Sequence, residues 1–148
     1  MLSLVIILLI ITPTFAQNQP PKTRILFVFD ASQSMLGQWE GETKLKVATR
    51  LLGNLMDSLK TKKNIEVALR IYGHQFSVAQ GQRSCEDSKL EIPFKPNNFN
   101  AIKAKLANIY PIGTTPIAYS LEQTKNDFPP CNNCRNIIIL ITDGKEEC

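Results

Sequence analysis

The sequence predicts an α/β fold, a doubly wound, mostly parallel sheet with helices on both faces in the Rossmann-like manner. Three observations carry this. The apolar runs at residues 25–29 and 137–141 are short and rich in β-formers, and the second, Ile137-Ile138-Ile139-Leu140-Ile141, has the continuous character of a strand buried on both faces. Between them, Leu45, Ala48, Leu52, Leu55 and Leu59 recur at three- and four-residue steps, the period of an amphipathic helix. Each apolar run also hands over to an aspartate, Asp30 and Asp143, at the end where open parallel sheets bind ligands.

The elements follow in order. Residues 2–11 are apolar, and Thr14-Phe15-Ala16 before Gln17 places small residues where a signal peptidase accepts them. No Lys or Arg precedes that run, unlike the usual pattern, and it is too short to span a bilayer. Residues 1–16 therefore read as a signal peptide, and residues 17–23 as a short Gln/Pro-rich lead-in. Export to the periplasm, the cell surface or the medium is expected, with no transmembrane segment in the mature chain. Without a cysteine at the cleavage site, a lipid anchor is not expected there.

Residues 24–148 form one domain. Strand one covers 24–29 and is followed by a loop at 32–42. A helix at 43–60 and a strand at 65–72, closed by Gly73, come next. A polar loop at 76–88 carries Cys85. A short edge strand at 89–92 is bracketed by Pro93 and Pro96, since proline is excluded from central strands. Asn98 is placed to cap a helix at 99–108, and Pro116 suits the first turn of another at 117–125. The last strand covers 136–142. No helix follows it, so the sequence predicts a domain incomplete at its C-terminus.

The chain has 148 residues with 17 basic and 13 acidic side chains, a net charge of +4. Lys44, Lys46, Lys60, Lys62, Lys63, Lys103 and Lys105 are scattered over helix faces without interleaved aromatics, so they read as solvated faces and not as a nucleic-acid surface. Four cysteines in an exported chain point to disulfides, for which three connectivities exist. Cys131 and Cys134 are close enough for a local bridge. A zinc site would need two further ligands, with the only histidine, His74, distant in sequence, and a redox pair usually opens a helix. A Cys131–Cys134 bridge is favoured, which leaves Cys85 with Cys148.

The chemistry concentrates at Asp30-Ala31-Ser32-Gln33-Ser34, one carboxylate and two hydroxyls at alternate positions. Hard oxygen donors at a strand end suit Mg²⁺, which prefers octahedral oxygen coordination. If the two aspartate-tipped strands are neighbours, Asp30 and Asp143 lie about 5 Å apart. Gly113-Thr114-Thr115-Pro116, a tight turn opening a helix, adds a hydroxyl. Singly, these motifs are ordinary caps and turns; in this order and context they are specific.

The set Asp30, Ser32, Ser34, Thr115 and Asp143 resembles the metal-ion-dependent adhesion site of the von Willebrand factor type A domain. Thr114 stands where that pattern often has glycine. Tyr72-Gly73-His74, Cys85 and the ending Asp143-Gly144-Lys145-Glu146-Glu147-Cys148 resemble a bacterial exported branch. The resemblance implies a binding module and no enzyme. Ser32, Ser34 and Thr115 would touch Mg²⁺ (Mn²⁺ or Ca²⁺ as alternatives), and Asp30 and Asp143 would hold it partly through water. A partner protein's acidic side chain would complete the shell. Neutral hydroxyl ligands leave the cation enough charge to attract that acid.

A rival function is Mg²⁺-dependent phosphoryl transfer with Asp30 as nucleophile. Ser32 stands where that chemistry usually has a second carboxylate, and no Gly-rich phosphate loop is present. A serine triad lacks a nucleophile elbow. A vestigial, purely structural site is disfavoured because all five ligand positions are filled. His74 reads as a loop hydrogen-bonder, and Trp39 as a packing residue.

Overall fold

A computed structural model describes residues 21–148. The expected signal peptide and most of the expected lead-in lie outside the described residues. The chain contains β1 (Lys22–Asp30), β2 (Gln38–Trp39), β3 (Glu42–Thr43), α1 (Lys44–Leu59), β4 (Ile65–Tyr72), α2 (Gln82–Cys85), β5 (Ser88–Lys95), α3 (Phe99–Leu106), α4 (Ile117–Gln123) and β6 (Cys134–Ile141). The main sheet has the order β5-β4-β1-β6. In it β1 lies parallel to β4 and to β6, and β5 is antiparallel to β4. The mixed sheet with helices on both sides is the architecture the sequence predicts.

Strand alternation builds the two layers. Ile25, Phe27 and Phe29 of β1 and Val67, Leu69 and Ile71 of β4 point to one face, where Leu52 and Met56 of α1 and Phe99, Ile102 and Leu106 of α3 cover them. Leu26, Val28, Ala68 and Tyr72 point to the other, against Ile117, Phe128, Phe94 and Leu140. Phe27, Phe29 and Leu26 are wholly buried, each worth about 1.5–3 kcal/mol of transfer free energy. The second face also buries a charge. Arg70 reaches Asp127 through two hydrogen bonds of 2.7 Å each, a bidentate pair that satisfies both groups.

Several expectations are corrected here. The edge strand β5 runs through Pro93 to Lys95, with irregular register against β4, because an edge position does not need the missing N–H. Asn98 occupies the N-cap position of α3, but its side chain makes no capping hydrogen bond. Its amide donates instead to the carbonyls of Val67 and Pro93, tying the helix start to the sheet. The last strand is an edge among the described residues, not a strand covered on both faces: β6 is half-buried and Ile138 is 44% exposed. Trp39 does not pack into the domain and is 57% exposed. Both cysteine pairs form as expected, Cys131–Cys134 and Cys85–Cys148.

Candidate functional site

The parallel registers of β1 with β4 and β6 bring three strand ends to one edge, with Phe29 opposite Ile141 and Asp30 opposite Tyr72. Beyond that edge the loops interlock by backbone. Ser32 bridges Gly113 in parallel, and the Gln33 N–H donates to the Gly113 carbonyl at 2.9 Å. Gly113 in turn donates to the Gly73 carbonyl at 2.9 Å. The fit has no room for side chains: a Cβ on Gly73 would lie 2.8 Å from the Ser32 backbone, and one on Gly113 2.7 Å from the Phe76 carbonyl oxygen. Gly73 also sits at φ +71°, where glycine carries no steric penalty. These two glycines set the distance between the serine loop and the threonine loop.

Asp30 is fully buried at the foot of the site. Its Oδ1 accepts the Ser32 N–H at 2.8 Å and its Oδ2 accepts the Thr142 hydroxyl at 2.7 Å. Above it, Ser32 Oγ lies 3.0 Å from Ser34 Oγ, and Ser34 Oγ donates to Asp143 Oδ1 at 2.9 Å. Lys44 at the start of α1 donates to the other Asp143 oxygen. Thr115, also buried, is on the adjoining loop and donates to Glu147 Oε2 at 2.9 Å. Four of the five expected residues, Asp30, Ser32, Ser34 and Asp143, are thus linked through backbone and side-chain hydrogen bonds. Thr115 faces the same edge through a different partner.

Tyr72 closes the site from below. Burial, reinforced by the neighbouring Asp30 carboxylate, pushes its hydroxyl well above the usual phenol range. The hydroxyl approaches Thr142 and Asp30 without a well-aligned hydrogen bond to either, which leaves a buried polar atom unpaired. A water held beside Asp30 is the kind of partner such a group requires.

The donor set fits a hydrated hard cation and not a soft one. Among the described residues, no group of three or more His, Cys, Asp or Glu side chains is placed to hold a metal; the site offers hydroxyls between two carboxylates. Adjacent ligands of an octahedron with bonds near 2.1 Å are about 3 Å apart. The spacings of 3.0 and 2.9 Å along Ser32, Ser34 and Asp143 match that edge.

Thr142, Lys44, Gly73 and Glu147 belong to this neighbourhood, and the sequence reading assigns none of them to the site. Thr142 had a local signal, a hydroxyl one residue before a strand-end aspartate. Lys44 had none, and it is not a solvated lysine, being two-thirds buried against Asp143. His74 behaves as expected of a loop hydrogen-bonder, with Nε2 2.9 Å from Glu91 Oε1.

An α/β domain whose mixed sheet brings strand-end aspartates to one edge, with helices on both sides, is of the von Willebrand factor type A class of fold. The chain belongs to the von Willebrand factor type A domain family, whose model matches residues 25–146. It is 29% identical over 142 residues to YwmD of Bacillus subtilis (strain 168), a match covering 94% of this chain and 62% of that protein. Its match to YwmC of the same organism is 27% identical and covers 84% of this chain and 55% of that protein. The chain thus spans little more than half the length of these relatives.

Among solved structures, an aerotolerance-related membrane protein from Bacteroides fragilis NCTC 9343 superimposes with a TM-score of 0.66 at 25% identity, over 84% of this chain and 56% of that one. The pilus adhesin SpaC from Lactobacillus rhamnosus GG gives a TM-score of 0.67 at 20% identity, over 88% of this chain and 16% of that one. That second likeness is one of fold. Among the described residues no helix is long and apolar enough to cross a membrane.

Proposed function

We propose that this domain is an exported, Mg²⁺-dependent protein-interaction module. Asp30, Ser32, Ser34, Thr115 and Asp143 hold the cation, and an acidic side chain of a partner protein completes its shell. The observation that carries this reading is the Ser32–Ser34–Asp143 run of hydrogen-bonded oxygens, whose spacings of 3.0 and 2.9 Å are also compatible with neighbouring ligands of an octahedral cation. The fold's occurrence in a pilus adhesin supports an interaction role. Two disulfides and the apolar leader of the sequence support export. Bound Mg²⁺ would supply positive charge at the sheet edge. The chain's own part is to place neutral hydroxyls against it, so that the charge is not quenched by carboxylates.

Phosphoryl transfer through Asp30 is the weaker reading. Both Asp30 oxygens are engaged, by the Ser32 N–H and the Thr142 hydroxyl, and the side chain is fully buried. A nucleophile needs a free, approachable oxygen.

Calorimetric titration of the full-length protein with Mg²⁺ and Mn²⁺ tests the proposal. One divalent ion per domain is expected, with binding abolished by Asp30→Ala and weakened at least tenfold by Ser34→Ala. Absence of binding, or binding indifferent to Asp30→Ala, refutes it.

A further inference from the structure

We propose that Glu147 is the site's own carboxylate: with the cation bound, it takes the coordination position otherwise offered to the partner's acid, and the Cys85–Cys148 bond keeps it there. This rests on the metal-binding reading above and adds the regulation of the same site.

Glu147 is fixed on Thr115 twice. Its carboxylate accepts the Thr115 hydroxyl at 2.9 Å, and its backbone N–H donates to the Thr115 carbonyl at 3.3 Å. The segment that carries it passes between the two halves of the site. A Cβ on Gly144 would lie 3.8 Å from Ser34 Oγ and 3.9 Å from Thr115 Cγ2. Its start is held by Asp143 on Ser34, and its end by the disulfide to Cys85 of α2. That short helix is itself anchored to the threonine loop, because buried Ser84 Oγ accepts the Thr114 N–H at 2.9 Å and donates to the Phe76 carbonyl at 3.2 Å. The disulfide therefore ties the Glu147 segment to the loop that carries Thr115.

The two adjacent glutamates are not equivalent. Glu146 is committed to backbone, accepting the N–H of Ala118 with one oxygen and that of Cys148 with the other. Glu147 instead touches a hydroxyl whose lone pairs stay available to a cation. Its 2.9 Å spacing from Thr115 Oγ1 is again that of adjacent octahedral ligands, about 3 Å. A carboxylate held on Thr115 lowers the charge that an outside acid would feel. A partner must then displace Glu147 to bind, so the oxidised domain is self-capped.

The test uses the full-length oxidised protein with Mn²⁺ as probe, reading affinity by calorimetry and bound waters by proton relaxation. Glu147→Gln is expected to weaken Mn²⁺ about tenfold, the loss of one charged ligand, and to add one metal-bound water. Millimolar acetate should displace that water in the variant and leave the wild type unchanged. Glu146→Gln should match wild type in both readings, and the paired Cys85→Ser, Cys148→Ser variant should behave like Glu147→Gln. Wild-type affinity and water number in Glu147→Gln, with Asp30→Ala still abolishing binding, overturn the self-capping while leaving the metal site intact. Mn²⁺ binding unaffected by Asp30→Ala overturns both.

Discussion

Single charges decide how the site behaves before any partner arrives. Lys44 places an ammonium on Asp143, in the neighbourhood the proposed cation would occupy. A unit charge about 5 Å from a divalent ion is worth about 1.7 kcal/mol even at the screening of bulk water, and more at intermediate screening. Lys44→Gln should therefore tighten Mg²⁺ binding by about tenfold or more by calorimetry, and unchanged or weaker binding would show that Lys44 does not compete. Glu91 illustrates a charge that serves the fold. Burial alone would raise its carboxyl, but Lys105, His74 and Lys89 outweigh burial and hold it at about 2, below the ordinary 4.5. The unfolded chain titrates near the ordinary value, so this stabilisation is complete above pH 4.5 and is lost as pH falls toward 2. Because Lys89 is 54% exposed, the shift overstates the energy, and about 1–2 kcal/mol is the expected size. Urea unfolding should show Glu91→Gln less stable by that amount at neutral pH. Its stability should fall less steeply than that of wild type between pH 4.5 and pH 2.

Elements were legible where their signal is local. The two apolar strands, the period of α1 and the strand-end aspartates are written in consecutive residues, so the sheet edge that carries Asp30, Ser32, Ser34 and Asp143 could be read directly. What could not be read depends on partners far along the chain. Nothing near residues 137–141 says that β6 has β1 on one side only among the described residues. Asn98 looks like a cap until the carbonyls of Val67 and Pro93 arrive beside it. Met56 is wholly buried while Leu55, which fits the same apolar period, is 38% exposed, because α3 lies against one flank of α1. The approach of β4's end to the serine loop was equally hidden, although Gly73 marks it. Gly73→Ala would set a methyl 2.8 Å from Ser32 and Thr114 backbone atoms at a positive φ, costing about 1–3 kcal/mol. It should also reduce divalent binding by parting the two loops. Gly53→Ala provides the contrast. It lies inside α1 with open space around it, so alanine should stabilise by about 0.5–1 kcal/mol and leave metal affinity unchanged. Equal thermal shifts for the two variants would contradict this account.

At the scale of the whole molecule, the two sides of β1 are built differently. On the β4 side, α3 and β5 close the core around Val67, Leu69 and Ile71, all fully buried. On the β6 side, Trp39, Leu51, Leu55, Ile139 and Ile141 line a groove of about 710 Å³ that reaches Asp143 at the site. An edge strand with unpaired backbone groups and apolar side chains is a template for pairing with another copy, and a lysine on such an edge is a natural deterrent. Ile138, in the middle of β6 and 44% exposed, carries no such protection. β6 is such an edge among the described residues, so residues 21–148 on their own should associate reversibly as their concentration rises, and Ile138→Lys should suppress this. The substitution should cost less than about 1 kcal/mol, since the side chain is already half in water. Leu121→Lys on α4, at a similarly exposed leucine away from the strand edge, should leave association as it is. Sedimentation velocity across a range of concentrations separates the two variants. Association that persists undiminished in Ile138→Lys would move the contact from the strand edge to the groove, where Leu51→Lys would then be the effective change.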